Sequence, residues 1–235
     1  MLNFIHLVGK ERGRYTLLVL SLICLFVIHP ITTKDDTSRI IFDCIIAAIV
    51  FSALWAFSRT KRVVLIGLCL GVPAVLGRFA HNLGGFESLF VAGYICLILF
   101  NVLILYVIFV DILRERAATF DTIFGAMSGY FVVGLIFAAI YNLIEYGYPG
   151  SFNFGEGFGS NMDTFIYYSF VTITTLGFGD VTPQLPIARS LSTLEAVIGQ
   201  MYLAIFVARL VGLHAVHVGK DKTIFVTDDR EDDLS

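Results

Sequence analysis

Thr174-Thr175-Leu176-Gly177-Phe178-Gly179-Asp180 is the stretch that decides the fold. Gly177 and Gly179 alternate with bulky apolar residues, and glycine takes left-handed backbone angles at little cost. A strand whose alternate residues turn left-handed brings successive carbonyl oxygens to one side. Thr175 adds a hydroxyl at the inner end of that row. Such a row is a ligand set for a cation that has shed its water, because rings of carbonyl oxygens can replace a hydration shell. One chain holds only part of a ring, so this chemistry needs several copies around an axis. A glycine-rich turn alone is a weak signal, and its flanks give it meaning.

Upstream, 161–173 predicts a short helix running through Phe165, Tyr167, Tyr168 and Phe170. Ser160 followed by Asp163 fits a capping pattern, with the acid at the positive end of the helix dipole. This piece cannot cross a hydrocarbon core of about 30 Å, which takes about 20 apolar helical residues. The preceding stretch, 147–159, carries five glycines and predicts an exposed outer loop. Downstream, Pro183 is followed by a long apolar helix over 187–213 containing Glu195, Gly199 and Arg209.

Further out, apolar segments cover 15–33, 39–57, 63–79, 88–113 and 122–146. The chain is 57% hydrophobic and 15% charged, with a mean hydropathy of +0.83, far from the balance of a soluble domain. The expected fold is all-α and integral to the membrane: six transmembrane helices, with a re-entrant helix and the glycine-bearing loop between the fifth and sixth. The third span is the weakest, interrupted by Gly67, Gly71 and Pro73. The run from Tyr15 is long and lacks a small-residue cleavage site, so it is expected to be a retained span rather than a leader. Cys24, Cys44, Cys69 and Cys96 fall one in each of the first four spans, without metal-ligand spacing, and suit small buried hydrophobes.

Basic residues orient the chain. Lys10, Arg12, Arg14, Arg59, Lys61, Arg62, Arg114, Arg116, Lys220, Lys222 and Arg230 share one side if both termini are cytoplasmic, against Lys34, Arg39, Arg78 and Arg189 opposite. The expected organisation is a cytoplasmic or interfacial segment 1–14, a four-helix region 15–121, a pore domain 122–216 and a short acidic cytoplasmic tail 217–235. The stretch 228–233 is expected to be unstructured and solvated.

Thr175-Leu176-Gly177-Phe178-Gly179-Asp180 resembles the TVGYGD selectivity filter of tetrameric potassium channels, with a span before it and a short helix entering it. The resemblance covers roughly 122–213. It implies a homotetramer in a cell membrane, passing dehydrated K⁺ passively, with K⁺ held at Thr175, Leu176, Gly177 and Phe178 and the filter running from Thr175 to Gly179. It implies filter support from Tyr167, Tyr168, Val171, Thr174 and Asp180, and a gating hinge at Gly199; Glu195 joins the support by its own position, in the outer half of the last span. No cofactor is implied; K⁺ is cargo, and membrane lipid is the other partner. Leu176 stands for the usual valine or isoleucine and Phe178 for tyrosine, but filters ending Gly-Phe-Gly-Asp occur in the family, so selectivity is expected to persist. Tyr167 and Tyr168 stand where many relatives carry tryptophans, and Val171 where some carry a buried acid. The support is therefore expected to be more apolar than theirs.

The fourth span has no basic residue between Ser88 and Leu113, whereas a voltage sensor needs about three or four in the membrane field. Conventional voltage gating is not expected. Asp111 and Glu145 are expected to reach water near span ends, Asp43 to pair with Arg39, and Glu195 to face the short helix. Arg209 is expected to snorkel to the headgroups. His214 and His217, at helical spacing beyond it, are candidates for proton-sensitive gate modulation. Nothing in the sequence resembles a catalytic site. The rival readings are a non-selective cation channel on the same scaffold and the membrane subunit of a potassium transporter.

Overall fold

The computed structural model describes residues 13–28, 46, 48–56, 61–84, 87–114 and 119–232. Six helices and two short strands follow in order: α1 (Arg14–Ile28), α2 (Lys61–Gly84), α3 (Glu87–Arg114), α4 (Phe120–Gly147), β1 (Phe152–Phe154), α5 (Met162–Ile173), β2 (Val181–Pro183) and α6 (Pro186–Asp232). Residues 46 and 48–56 are also helical. The expected Asp43–Arg39 pair and Cys44 lie outside the described residues.

Among the described residues, three helices are long and apolar enough to cross a membrane: Leu89–Arg114, Phe120–Gly147 and Pro186–Gly212. The fold is mostly helical, as an all-α membrane channel requires. Helix α5, with 12 residues, is about 18 Å long at 1.5 Å per residue, well short of the hydrocarbon thickness.

Several ends differ from the expected ones. Helix α2 runs from Lys61 to Gly84 and carries Pro73 in its interior, so the proline does not end it. Helix α5 is capped by Asn161, whose side chain accepts from Thr164 N at 2.8 Å; the cap is one residue beyond Ser160. Helix α6 continues to Asp232 through the stretch expected to be unstructured, and no proline lies beyond Pro186 to stop it.

Helix α4 is the central post. Thr119 caps it, accepting from Thr122 N at 3.2 Å, and Asp121 sits in its first turn. Helices α1, α3, α5 and α6 of the same chain all pack against it. The Phe26 ring of α1 meets Phe170 of α5 edge-on at 4.3 Å between centroids, so α1 lies directly behind the short helix. Where α2 meets α3, a Cβ added to Gly77 would stand 2.7 Å from Gly93 Cα. That backbone approach suits lipid, where helices associate through close packing of small residues.

The segment between α4 and α5 is more structured than its glycines imply. β1 and β2 pair antiparallel, Phe152 opposite Pro183, Asn153 opposite Thr182 and Phe154 opposite Val181, and join the approach to α5 with the exit from the glycine-bearing loop. Phe152 is buried in a cluster with Tyr141, Phe165 and Tyr168, all edge-to-face with centroids 5.1 to 5.4 Å apart. Each such pair contributes about 0.5–1.5 kcal/mol beyond area burial. Glu145 does not reach water. It is buried and accepts from Gly150 N at 2.9 Å and Phe152 N at 3.0 Å, clamping the turn after α4.

Candidate functional site

The 174–180 run leaves the C-terminal end of α5 and is pinned there by its amide groups. Thr175 N donates to Thr172 O at 2.9 Å, Leu176 N to Val171 O at 2.9 Å and Gly177 N to the same oxygen at 3.3 Å. Val171 thus serves the run through its carbonyl while its side chain is buried. With the N–H groups turned back to the helix, the opposite backbone groups are left over. Among the described residues, no hydrogen bond reaches the carbonyl oxygens of residues 174–179.

Left-handed angles occur at Thr175 (φ 60°), Gly177 (φ 59°) and Gly179 (φ 81°), every second residue. The two glycines follow from their residue type, but Thr175 does not. A β-branched residue in this region is an outlier costing roughly 1–2 kcal/mol, and such strain concentrates at functional sites.

Asp180 closes the run. Its Oδ1 accepts from Val181 N at 2.9 Å, and Tyr167 donates its hydroxyl to Oδ2. Burial, and then the carboxylate it faces, push the Tyr167 hydroxyl up to about 12, so it remains a donor across the physiological range. Gly155 N donates to Asp180 O at 2.7 Å from the loop above. The neighbouring tyrosine points the other way: Tyr168 is buried, with its hydroxyl 2.6 Å from Ser192 Oγ of α6.

Behind the run lies a polar cluster. Glu195 of α6 is fully buried and accepts from Tyr141 of α4 at 2.6 Å; its other oxygen contacts Ser169 of α5, whose hydroxyl also lies 2.7 Å from Gly134 O of α4. The support therefore includes a buried acid, although Val171 stands in the short helix where the resemblance would place one. Its acid comes from α6 rather than from the short helix. Tyr130 donates to Ile173 O, the last carbonyl of α5, at 3.0 Å. Gly199 lies beneath that same residue in an unbroken helix: a Cβ there would stand 2.6 Å from Ile173 O.

Sequence reasoning missed Tyr130, Tyr141, Ser169 and Ser192. One signal was available, since Tyr130 and Tyr141 lie eleven residues apart, about three helical turns, and so share a face of an otherwise apolar helix.

Arg209 stands apart from this group. Its Nη2 donates to Ile112 O at 2.8 Å and Leu113 O at 2.9 Å, and its Nε to Ile112 O at 3.2 Å. The guanidinium so caps the C-terminal carbonyls of α3, where a cation also suits the helix dipole. Nearby, Asp111 accepts from the Tyr15 hydroxyl of α1 at 2.7 Å. The α6 backbone carries His214 and His217, but their side chains lie outside the described residues.

Arg209→Gln is expected to lower stability by about 1–2 kcal/mol, the low end for hydrogen bonds to a charged group because the site is partly exposed. Arg209→Lys is expected to recover only part of this, since an ammonium cannot fork onto two carbonyls. Thermal unfolding of the purified proteins checks both; full recovery in the lysine variant would return Arg209 to the headgroups.

Residues 129–213 match a family model described as an ion channel. The match runs from the middle of α4 through the β-pair, α5 and the 174–180 run into α6, less than half of the chain. No curated protein and no solved structure matches the chain. The matched segment supports an ion channel in a membrane rather than an enzyme.

Proposed function

We propose that the chain is one of four identical subunits of a potassium-selective channel, with residues 175–179 of each lining a shared axis. The observation carrying this reading is the left-handed angle at every second residue of that run, combined with carbonyl oxygens that no donor in the described residues satisfies. A naked K⁺ needs such oxygens in rings. Support for further copies comes from exposure: Leu176 and Phe178 are 60% and 65% exposed, and α6 displays Leu194, Val197, Met201 and Ile205 with little of its own chain against them.

In this reading six helices span the membrane, α5 is re-entrant and both termini are cytoplasmic. Gating does not depend on voltage in the usual way, because Arg114 in the last turn of α3 is its only basic residue. The region before α4 acts instead through the packing of α1 and α3 on α4 and through the Arg209 clasp on α3. Leu176 and Phe178 give one specific reason to weigh a non-selective cation channel on the same scaffold.

Purified protein in planar bilayers under opposed K⁺ and Na⁺ gradients separates the two. Single-channel currents are expected to reverse near the K⁺ equilibrium potential. Reversal near zero would favour the non-selective pore, and the absence of any current would remove both.

A further inference from the structure

The destination of one serine proton fixes the charge on Glu195. Ser169 Oγ lies within hydrogen-bonding distance of two oxygens, Gly134 O at 2.7 Å and Glu195 Oε1. A serine hydroxyl has one proton to give, and a carbonyl oxygen has none. If Ser169 gives its proton to an ionised Glu195, its oxygen faces the Gly134 carbonyl lone pair against lone pair. If it gives the proton to Gly134, its contact with an ionised Glu195 is oxygen against oxygen. Both contacts are hydrogen bonds in one arrangement: Glu195 Oε1–H donates to Ser169 Oγ, and Ser169 Oγ–H donates to Gly134 O. Tyr141 then donates to Glu195 Oε2 at 2.6 Å, and every donor and acceptor is used.

The surroundings agree. Glu195 is fully buried, and the titratable groups facing it are the phenols Tyr130 and Tyr141 of α4 and Tyr168 of α5, none of which can carry a positive charge. No cation pairs with it among the described residues. A buried carboxyl without a counter-ion takes up a proton rather than keep its charge.

We propose that Glu195 is a proton-binding site behind the 174–180 run, and that the neutral acid is the tie that holds α5 to α4 and α6. Loss of the proton turns the Ser169 hydroxyl toward the new carboxylate. The Gly134 link from α5 to α4 is then released, and a charge is left between three helices. The arrangement is built around the proton, so the tie holds while Glu195 is protonated and is lost as rising pH removes the proton, never as pH falls. The effect of this loss on conduction rests on the channel reading above; the proton site itself does not.

The test is infrared spectroscopy and K⁺ flux on the full chain reconstituted in lipid vesicles over a pH series. The wild type is expected to show a protonated carboxylic acid band at neutral pH that is absent in Glu195→Gln and disappears on alkalinisation. Its flux is expected to fall at least about tenfold for each pH unit beyond that midpoint, as the protonated fraction of one site does, and more steeply if all four subunits must keep the proton, while the flux of Glu195→Gln stays flat. Ser169→Ala is expected to shift the band, because the acid loses its acceptor. The wild-type band requires no variant to fold. A missing band at neutral pH, the same band in Glu195→Gln, or a Glu195→Gln flux falling in step with the wild type would each overturn the proposal. A band with no flux at any pH in either protein would keep the proton site and overturn the channel reading.

Discussion

Alanine at position 177 is expected to reduce K⁺ flux about a thousandfold or more while the protein still folds. Gly177 has φ 59°, and a Cβ there would have nothing within 4 Å in its own chain. The expected damage is therefore conformational rather than steric. A left-handed alanine costs roughly 1–2 kcal/mol, so in the proposed tetramer four copies give roughly 4–8 kcal/mol, at about 1.4 kcal/mol for each factor of ten. The run would relax to ordinary angles and turn alternate carbonyls off the axis. Helix packing would be untouched, because the amide anchors of Thr175 and Leu176 and the Tyr167–Asp180 tie lie on either side of the changed residue. Gly147→Ala, at the end of α4 with open space around it and no positive φ, is the comparison and is expected to conduct normally. Flux assays on vesicles with matched protein content decide the matter. A Gly177→Ala protein retaining a tenth of the parent flux would mean that the left-handed angle does not carry conduction.

Much of this site was legible because its chemistry is local. Two glycines alternating with apolar residues announce the backbone angles that the structure holds at 177 and 179. A short apolar helix in front and a long one behind announce the scaffold. What was not legible depends on chain segments meeting across long separations. Glu195 finds Tyr141, 54 residues back, and Ser169, 26 residues back; nothing in an apolar stretch states which polar side chain will face which. Arg209 reaches carbonyls 97 and 96 residues away, and backbone carbonyls leave no trace in residue type. The β-pair was hidden for a different reason. Its strands are three residues each, too short to display an alternating pattern. Thr175 is the remaining case. Its left-handed angle runs against its side chain, and only the amide anchors around it, formed after folding, hold it there.

Gly199→Ala separates two roles for the same glycine by the sign of a stability change. As a bending point in α6 and nothing more, Gly199 would cost the helix about 1 kcal/mol relative to alanine, so the substitution would stabilise the protein and alter only its open probability. The structure places it instead where α6 passes under the end of α5. An added Cβ would stand 2.6 Å from Ile173 O. Ile173 is fully buried, and its carbonyl is tied by the Tyr130 hydroxyl at 3.0 Å, so the obstacle is fixed backbone rather than a movable side-chain tip. Overpacking a site of this kind costs about 1–3 kcal/mol, which outweighs the propensity gain. Gly199→Ala is expected to lower the thermal midpoint and to reduce K⁺ flux, since Thr174 and the run beyond it start from the residue that must move. Tyr130→Phe, which frees the Ile173 carbonyl, is expected to soften the obstacle and bring the double variant closer to its own background than the single variant is to the parent. Thermal unfolding of the four proteins measures this coupling. A higher midpoint in Gly199→Ala would assign the glycine to bending and remove its packing role beneath the 174–180 run.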